Sequence, residues 1–340
     1  MDAHPVGSSL HHLAPASRLA LAPASRLAAH ALKPALHGAG ARAQATTWLE
    51  VAERGSAAGI WLMVTICRTL GRAVGRLLLG PVVLYFVAVA PVARRASSAY
   101  LRRLGQPHNF RAVLAHCRRF AHCTLDRLFW ALGKKSLFTV TCTGAEHLAA
   151  LQQQRRGALL LGAHLGSFEA MRAMAARESI PLNIVGYFKN ARLINSILEK
   201  LNPGLLTRVI SVDPGIDFVL KLKERIEAGE LVAILADRVG LGDRVVEADF
   251  LGAPARWPAG PYWLAATLRC PVYLTFGLFH EPNRYDLFCE PFAELIELPR
   301  GDRQAGARVY AQRFAQRLEH YCRLAPDNWF NFYDFWKVGS

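Results

Sequence analysis

Apolar and polar positions divide the chain into three textures. From Gly59 to Val92 it is mostly apolar, in two pieces. The first is Ile60–Thr69, with Trp61, Leu62, Met63, Val64 and Ile66. After Arg68, Arg72 and Arg76 comes the uncharged run Leu77–Val92. Its sixteen residues, interrupted by Pro81 and Pro91, fall short of the ~20 that cross a bilayer comfortably. The pattern predicts a tilted or re-entrant membrane helix, with a buried core helix as the alternative. Two basic helices are expected next, around Ala99–Leu104 and Phe110–Leu132. Phe120, Leu125, Phe129 and Trp130 are the apolar positions they would lay on a membrane surface.

From about Ser136 the texture becomes an α/β alternation. Strand-type runs occur at Leu137–Cys142, Ala158–Ala163, Leu182–Tyr187, Arg208–Val212, Leu231–Ala236 and Val272–Phe279. Helical patterns at Phe168–Arg177, Ala191–Leu201, Ile216–Ala228 and Gly260–Thr267 separate most of them. Uniformly apolar strands bounded by helices imply a sheet covered on both faces. The expected fold class is therefore α/β: a mostly buried mixed sheet with helices on both faces, behind an N-terminal apolar, membrane-associating helical segment. Residues 1–45 read as a disordered low-complexity tail, in which Leu13–Ala20 is repeated identically as Leu21–Ala28. Residues 46–135 read as the membrane-associating helical region with a basic surface, and 136–340 as the catalytic α/β domain.

Charge refines this division. The net charge is +15, and between Ala93 and Lys135 ten Lys or Arg residues face a single acid, Asp126. A basic block that abuts an apolar anchor reads as attraction to an anionic membrane surface. It carries no nucleic-acid reader motif, so nucleic acid is not expected as a partner. The seven cysteines are scattered without a C-x-x-C pair, which fits a reduced, cytosol-facing protein and predicts no metal site. Nucleotide-binding glycine loops, a G-x-S-x-G elbow and H-E-x-x-H are also missing.

Ligands of such sheets bind outside the carboxyl ends of strands, which directs attention to His164, Lys189 and the Asp237–Arg238 pair. In Gly162-Ala163-His164-Leu165-Gly166-Ser167-Phe168-Glu169 a buried strand delivers His164 to its carboxyl end. Ser167 is the expected N-cap of the next helix, with Glu169 in its first turn. Glu169 is expected to reach back to one imidazole nitrogen and fix the tautomer, so that the other takes a proton as general base. Gly166 leaves room for a thioester. Asp237 needs a partner, with Arg238 and Arg244 as candidates, or else shapes the loop that follows. Lys189 reads as a phosphate ligand or a solvated loop lysine, and Arg256 with Trp257 as a headgroup contact.

The His-x4-Glu pattern within Ala163–Glu169 resembles the signature of the lysophospholipid acyltransferase superfamily, in its lipid A biosynthesis (lauroyl/myristoyl) branch. Gly186–Asn190, Gly229–Arg238, Phe250–Ala255 and Pro258–Pro261 resemble further segments of that branch, in its order. The aromatic tail Asn328–Trp336 resembles a subgroup of predicted acyltransferases. The resemblance implies acyl transfer without a cofactor and assigns catalysis to His164 and Glu169. Taken with the readings above, Gly166, Ser167, Lys189, Asp237, Arg238 and Arg256 are the expected substrate-binding residues. Asp237-Arg238 stands where the branch usually has Asp-Gln, and Ser167 where it has Asn, which leaves the acceptor open.

The expected reaction moves a fatty acyl group from a thioester to a hydroxyl of a lipid, glycolipid or polyketide-type acceptor. The donor is acyl carrier protein in preference to acyl-CoA, and the place is the cytoplasmic face of a bacterial inner membrane. The alternatives are a hydrolase of the same fold and a non-catalytic lipid-binding protein at the membrane surface.

Overall fold

A computed structural model describes residues 57–177, 179–186, 196, 199–201, 208–212, 215–240 and 244–336. The expected tail, Lys189 and most of the expected helix Ala191–Leu201 lie outside them.

The apolar segment forms one long helix, α1 (Ala57–Val89), kinked at Gly71, where φ is 85°. Before the kink, Val64 and Cys67 are buried in a cluster with Cys123, Leu125 and Phe129 of α3 (Phe110–Ala131). Just after it, Arg72 donates two hydrogen bonds to Asp126, at 2.6 and 2.7 Å, and Tyr285 donates a third at 2.7 Å. Asp126 is fully buried, and a buried carboxylate is tolerated when paired and hydrogen-bonded in this way. Arg76 pairs with Glu281, so α1 is pinned to the α/β domain by its own arginines.

Beyond these anchors the helix turns apolar side chains outward. Leu77 is 76% exposed and Tyr85 68%, while Val83 and Val87 are buried and Leu79 and Phe86 pack partly buried against the core. The buried-core alternative does not describe this helix. It is long and apolar enough to cross a membrane, and a contiguous exposed apolar face marks an interaction surface. The helix α2 (Pro91–Arg103) follows, with Pro91 in its first turn, where a missing N–H costs nothing. Asn109 caps α3 by accepting from the Ala112 N–H at 3.0 Å.

The α/β domain is built on a seven-stranded mixed sheet in the order β1-β9-β8-β2-β5-β3-β4. Its strands are β1 (Thr139–Thr143), β2 (Ala158–Gly162), β3 (Leu182–Gly186), β4 (Val209–Ser211), β5 (Leu231–Leu235), β8 (Val272–His280) and β9 (Arg284–Ala293). Within this sheet, among the described residues, only the β8–β9 pairing is antiparallel. On β2, Leu159 and Leu161 enter one hydrophobic cluster and Ala158 and Leu160 another. A strand apolar at every position is therefore buried on both faces, as its composition requires. Around it lie α4 (Ala145–Gln153), α5 (Phe168–Arg177), α6 (Ile216–Glu227), α7 (Gly260–Leu268) and α8 (Arg303–Leu324).

Four elements escape the sequence pattern: α4, the hairpin β6 (Val245–Phe250) with β7 (Ala253–Pro258), β9 and α8. The hairpin alternates correctly, with Val246, Ala248 and Phe250 buried. Its partner strand, however, carries Pro254 and Pro258, residues that argue against a central strand. They are accommodated because β6 and β7 form a separate two-stranded ribbon.

Candidate active site

Strands β2 and β5 are parallel neighbours, with Gly162 in register with Leu235. Two residues past each of these positions stand His164 and Asp237. Equal offsets from a shared register bring them together at the carboxyl edge of the sheet. His164 Nδ1 lies 2.8 Å from Asp237 Oδ1, and the His164 backbone N–H donates to Asp237 Oδ2 at 2.9 Å. Asp237 is 1% exposed, whereas the imidazole is 31% exposed and so open to a substrate.

This geometry corrects the expected partners. The Nδ1 position belongs to Asp237, and the Glu169 carboxylate is instead paired with Arg127 of α3. Glu169 does stand in the first turn of α5, where a carboxylate favours the helix dipole. From there it ties α5 to the basic helix. Asp237 is likewise partnered by His164 and not by Arg244, whose guanidinium lies over the Trp263 ring. Burial tends to raise the Asp237 carboxyl, yet His164 and Arg238 bring it down to about 2. Burial and the Arg238 charge hold the His164 imidazole below its ordinary range, against the opposing pull of Asp237. Aspartate as acceptor beside a neutral imidazole fixes the proton on Nδ1 and leaves the lone pair on Nε2.

A second acceptor site on Asp237 is filled from the aromatic tail. The Trp329 indole N–H donates to Asp237 Oδ2 at 3.1 Å. The Trp329 carbonyl accepts from His116 Nε2 at 3.0 Å, and Ser97 donates to His116 Nδ1 at 2.8 Å. Burial lowers His116 to about 4, so it is neutral in this arrangement. A hydrogen-bonded chain thus runs from Ser97 on α2 through His116, Trp329 and Asp237 to His164. A hydrogen bond to a charged acceptor contributes about 1.5–3 kcal/mol, enough to hold the carboxylate's orientation.

The same tail grips the turn that carries His164. The Phe330 N–H donates to the His164 carbonyl at 2.8 Å, and the Gly166 N–H donates to the Asn328 carbonyl at 2.8 Å. Asn328 in turn bonds both the N–H and the carbonyl of Phe279 on β8. Gly166 has φ 64°, and a Cβ there would lie 1.8 Å from the Gly277 carbonyl oxygen. Close backbone approach therefore explains this glycine. Ser167 caps α5 through Oγ, which accepts from the Ala170 N–H at 3.1 Å.

Of the other expected site residues, Arg238 stands beside the pair, donating to the Phe330 carbonyl at 2.9 Å with its charge over the Tyr333 ring. Arg256 opposes Glu247 on the β6–β7 ribbon. Its expected companion Trp257 is fully buried in the core, bonded to the Ala248 carbonyl, which removes it from a headgroup boundary. No local pattern marks His116, Arg127 or Trp329 as neighbours of the site. Trp329 was one aromatic among many in its segment, and its partner Asp237 lies 92 positions away.

The model of the family described as bacterial lipid A biosynthesis acyltransferase matches residues 128–338, a span that includes His164, Asp237 and Trp329. No curated protein matches the chain.

Proposed function

Because the chain belongs to the bacterial lipid A biosynthesis acyltransferase family and is an acyltransferase, we propose that His164 is its general base, oriented by Asp237. The reaction moves a fatty acyl group from an acyl thioester to a hydroxyl of a lipid, glycolipid or polyketide-type acceptor. The hydrogen bond from His164 Nδ1 to the buried Asp237 carboxylate is the observation that carries this reading.

The acceptor hydroxyl gives its proton to His164 Nε2 as its oxygen attacks the thioester carbonyl carbon. Asp237 stays ionised and stabilises the imidazolium that forms. The tetrahedral intermediate collapses, the carbon–sulfur bond breaks, and the imidazolium returns the proton to the leaving sulfur. One ester and one thiol result, with no enzyme nucleophile and no cofactor. The Arg238 charge is suited to an anionic acceptor or to the oxyanion. Glu169 acts as a positioning residue, setting α5 against Arg127.

Acyl carrier protein is the favoured donor over acyl-CoA, because an acidic carrier complements a chain of net charge +15. The exposed apolar face of α1 supports a site of action at a membrane, and we assign it to the cytoplasmic face of the bacterial inner membrane. The test compares lipid mass spectra of a deletion strain complemented with the wild type or with His164→Ala. An acylated species that returns only with the wild type supports the reading. Its return with folded His164→Ala protein sinks it. With purified protein, thioester consumption that yields free fatty acid in place of an acylated acceptor would instead mark a hydrolase.

A further inference from the structure

Helix α2 has two faces with different destinations. Ala93, Ala96, Ser97, Tyr100 and Leu101 are buried, and Ser97 begins the hydrogen-bonded chain that ends at His164. The other face, with Arg94, Arg95, Ser98, Ala99 and Arg102, lines a shallow, open groove of about 620 Å³ bounded by His108, Asn109, Phe110 and Val113. That volume suits a small ligand or a headgroup.

The electrostatics of the groove are one-sided. No Asp or Glu occurs between Arg54 and Leu125, so the lining contributes three guanidinium groups and no acid. Arg94 donates to the carbonyls of Val87 and Ala88 at 2.9 and 3.1 Å, the last turn of α1. Among the described residues nothing pairs with Arg95 or Arg102, and both are exposed. Arg103, by contrast, is drawn off over the Trp336 ring. Ser98 donates to the His108 carbonyl at 3.0 Å and holds the loop that forms the far wall.

Position then selects the anion. α2 begins at Pro91, directly after α1 ends at Val89. At the junction of the two helices Tyr85, Val89 and Val92 are exposed, as is Phe110 in the groove wall. Unpaired arginines at the end of an exposed apolar helix stand where hydrocarbon gives way to headgroups. The planar, five-donor guanidinium matches phosphate oxygens in pairs.

We propose that this groove binds the phosphate of an anionic phospholipid headgroup, seating α2 on the membrane surface at the end of α1. The inference rests on the membrane-facing reading of α1. An acidic face of a carrier protein is the competing occupant, but it does not account for the exposed apolar side chains at the end of α1.

The test is flotation of the full chain with phosphatidylcholine vesicles that contain phosphatidylglycerol or, at equal surface charge, oleate. Loss of two surface charges is expected to lower partitioning on the order of 25-fold, roughly fivefold for each, in Arg95→Gln/Arg102→Gln. The control Lys221→Gln/Arg308→Gln, on exposed positions elsewhere, should change it by less than about twofold if attraction is local to the groove. Arg95→Lys/Arg102→Lys should regain oleate vesicles and lose the preference for phosphate. Circular dichroism checks that each variant is folded.

Unchanged binding by the folded glutamine variant overturns the proposal, as does an equal loss in the control. A raised KM for the carrier-bound donor without a change in partitioning also overturns it, in favour of a carrier dock. Wild-type protein that floats with no vesicle at all refutes the membrane reading of α1, and the groove proposal with it. Binding to vesicles that ignores Arg95 and Arg102 refutes the groove alone.

Discussion

His164 Nδ1 and Asp237 Oδ1 meet at 2.8 Å across 73 residues of sequence, because each lies two positions beyond the β2–β5 register pair Gly162 and Leu235. The sheet itself is thus the device that aligns imidazole and carboxylate. The glutamate five residues after His164 is committed elsewhere, to Arg127.

The two carboxylates can be told apart by amide substitution. Asp237→Asn removes the charge that stabilises the imidazolium and permits the wrong tautomer. Its kcat should fall on the order of 10²–10⁴, the range associated with general acid–base groups and their orienters. Glu169→Gln keeps a hydrogen-bond acceptor for Arg127, and the loss of a partly exposed ion pair of about 1 kcal/mol predicts a fall within roughly tenfold. Steady-state kinetics with a purified acyl thioester decide it. The reverse ranking would move the orienting role to Glu169.

The acid limb of kcat/KM reports the free enzyme's base, and its direction of movement follows from the charges around His164. Burial and Arg238 lower that imidazole, and Asp237 raises it. The wild-type limb is therefore expected below the ordinary histidine range. Arg238→Gln takes away a cation that disfavours the imidazolium, so the limb moves to higher pH. Asp237→Asn takes away the anion that favours it, so the limb of its residual activity moves lower. Two shifts of the same sign would contradict the arrangement.

Trp329→Phe keeps an aromatic ring in the core and deletes the indole N–H that Asp237 accepts. A charge-assisted bond of this kind contributes about 1.5–3 kcal/mol. Part of that loss should appear in kcat and part in stability. The Asp237 carboxyl is held low, at about 2, so its contribution is present above the ordinary aspartate range and is lost as pH falls through about 2. Removing the indole donor raises that folded value. Denaturant melts at pH 7 and in acid should therefore show the variant losing stability at higher pH than the wild type.

Gly166→Ala places a methyl group 1.8 Å from the Gly277 carbonyl at a positive φ. Left-handed strain and overpacking together predict a destabilisation on the order of 2–5 kcal/mol. The denaturation midpoint measures it. A variant as stable as the wild type would show that this turn is more accommodating than its contacts imply.

What the sequence determined by itself is the part governed by local composition. Runs such as Ala158–Ala163 and Leu231–Ala236 are apolar at every position, so their burial within a sheet was legible, and with it the placement of His164 and Asp237 just past their ends. The exposed helix from Leu77 and the Ser167 cap were legible for the same reason, since each depends on residues near in sequence. Which strands are neighbours, and so which carboxylate reaches the histidine, follows from long-range packing. Strand order is set by packing between distant segments, and it leaves no trace in the spacing around His164. The same holds for Trp329 and for the groove on α2, whose arginines were visible as charge but whose concave arrangement arises from the fold. His164 could be found from its own strand. Its partner could not, because parallel pairing joins segments that the chain keeps far apart.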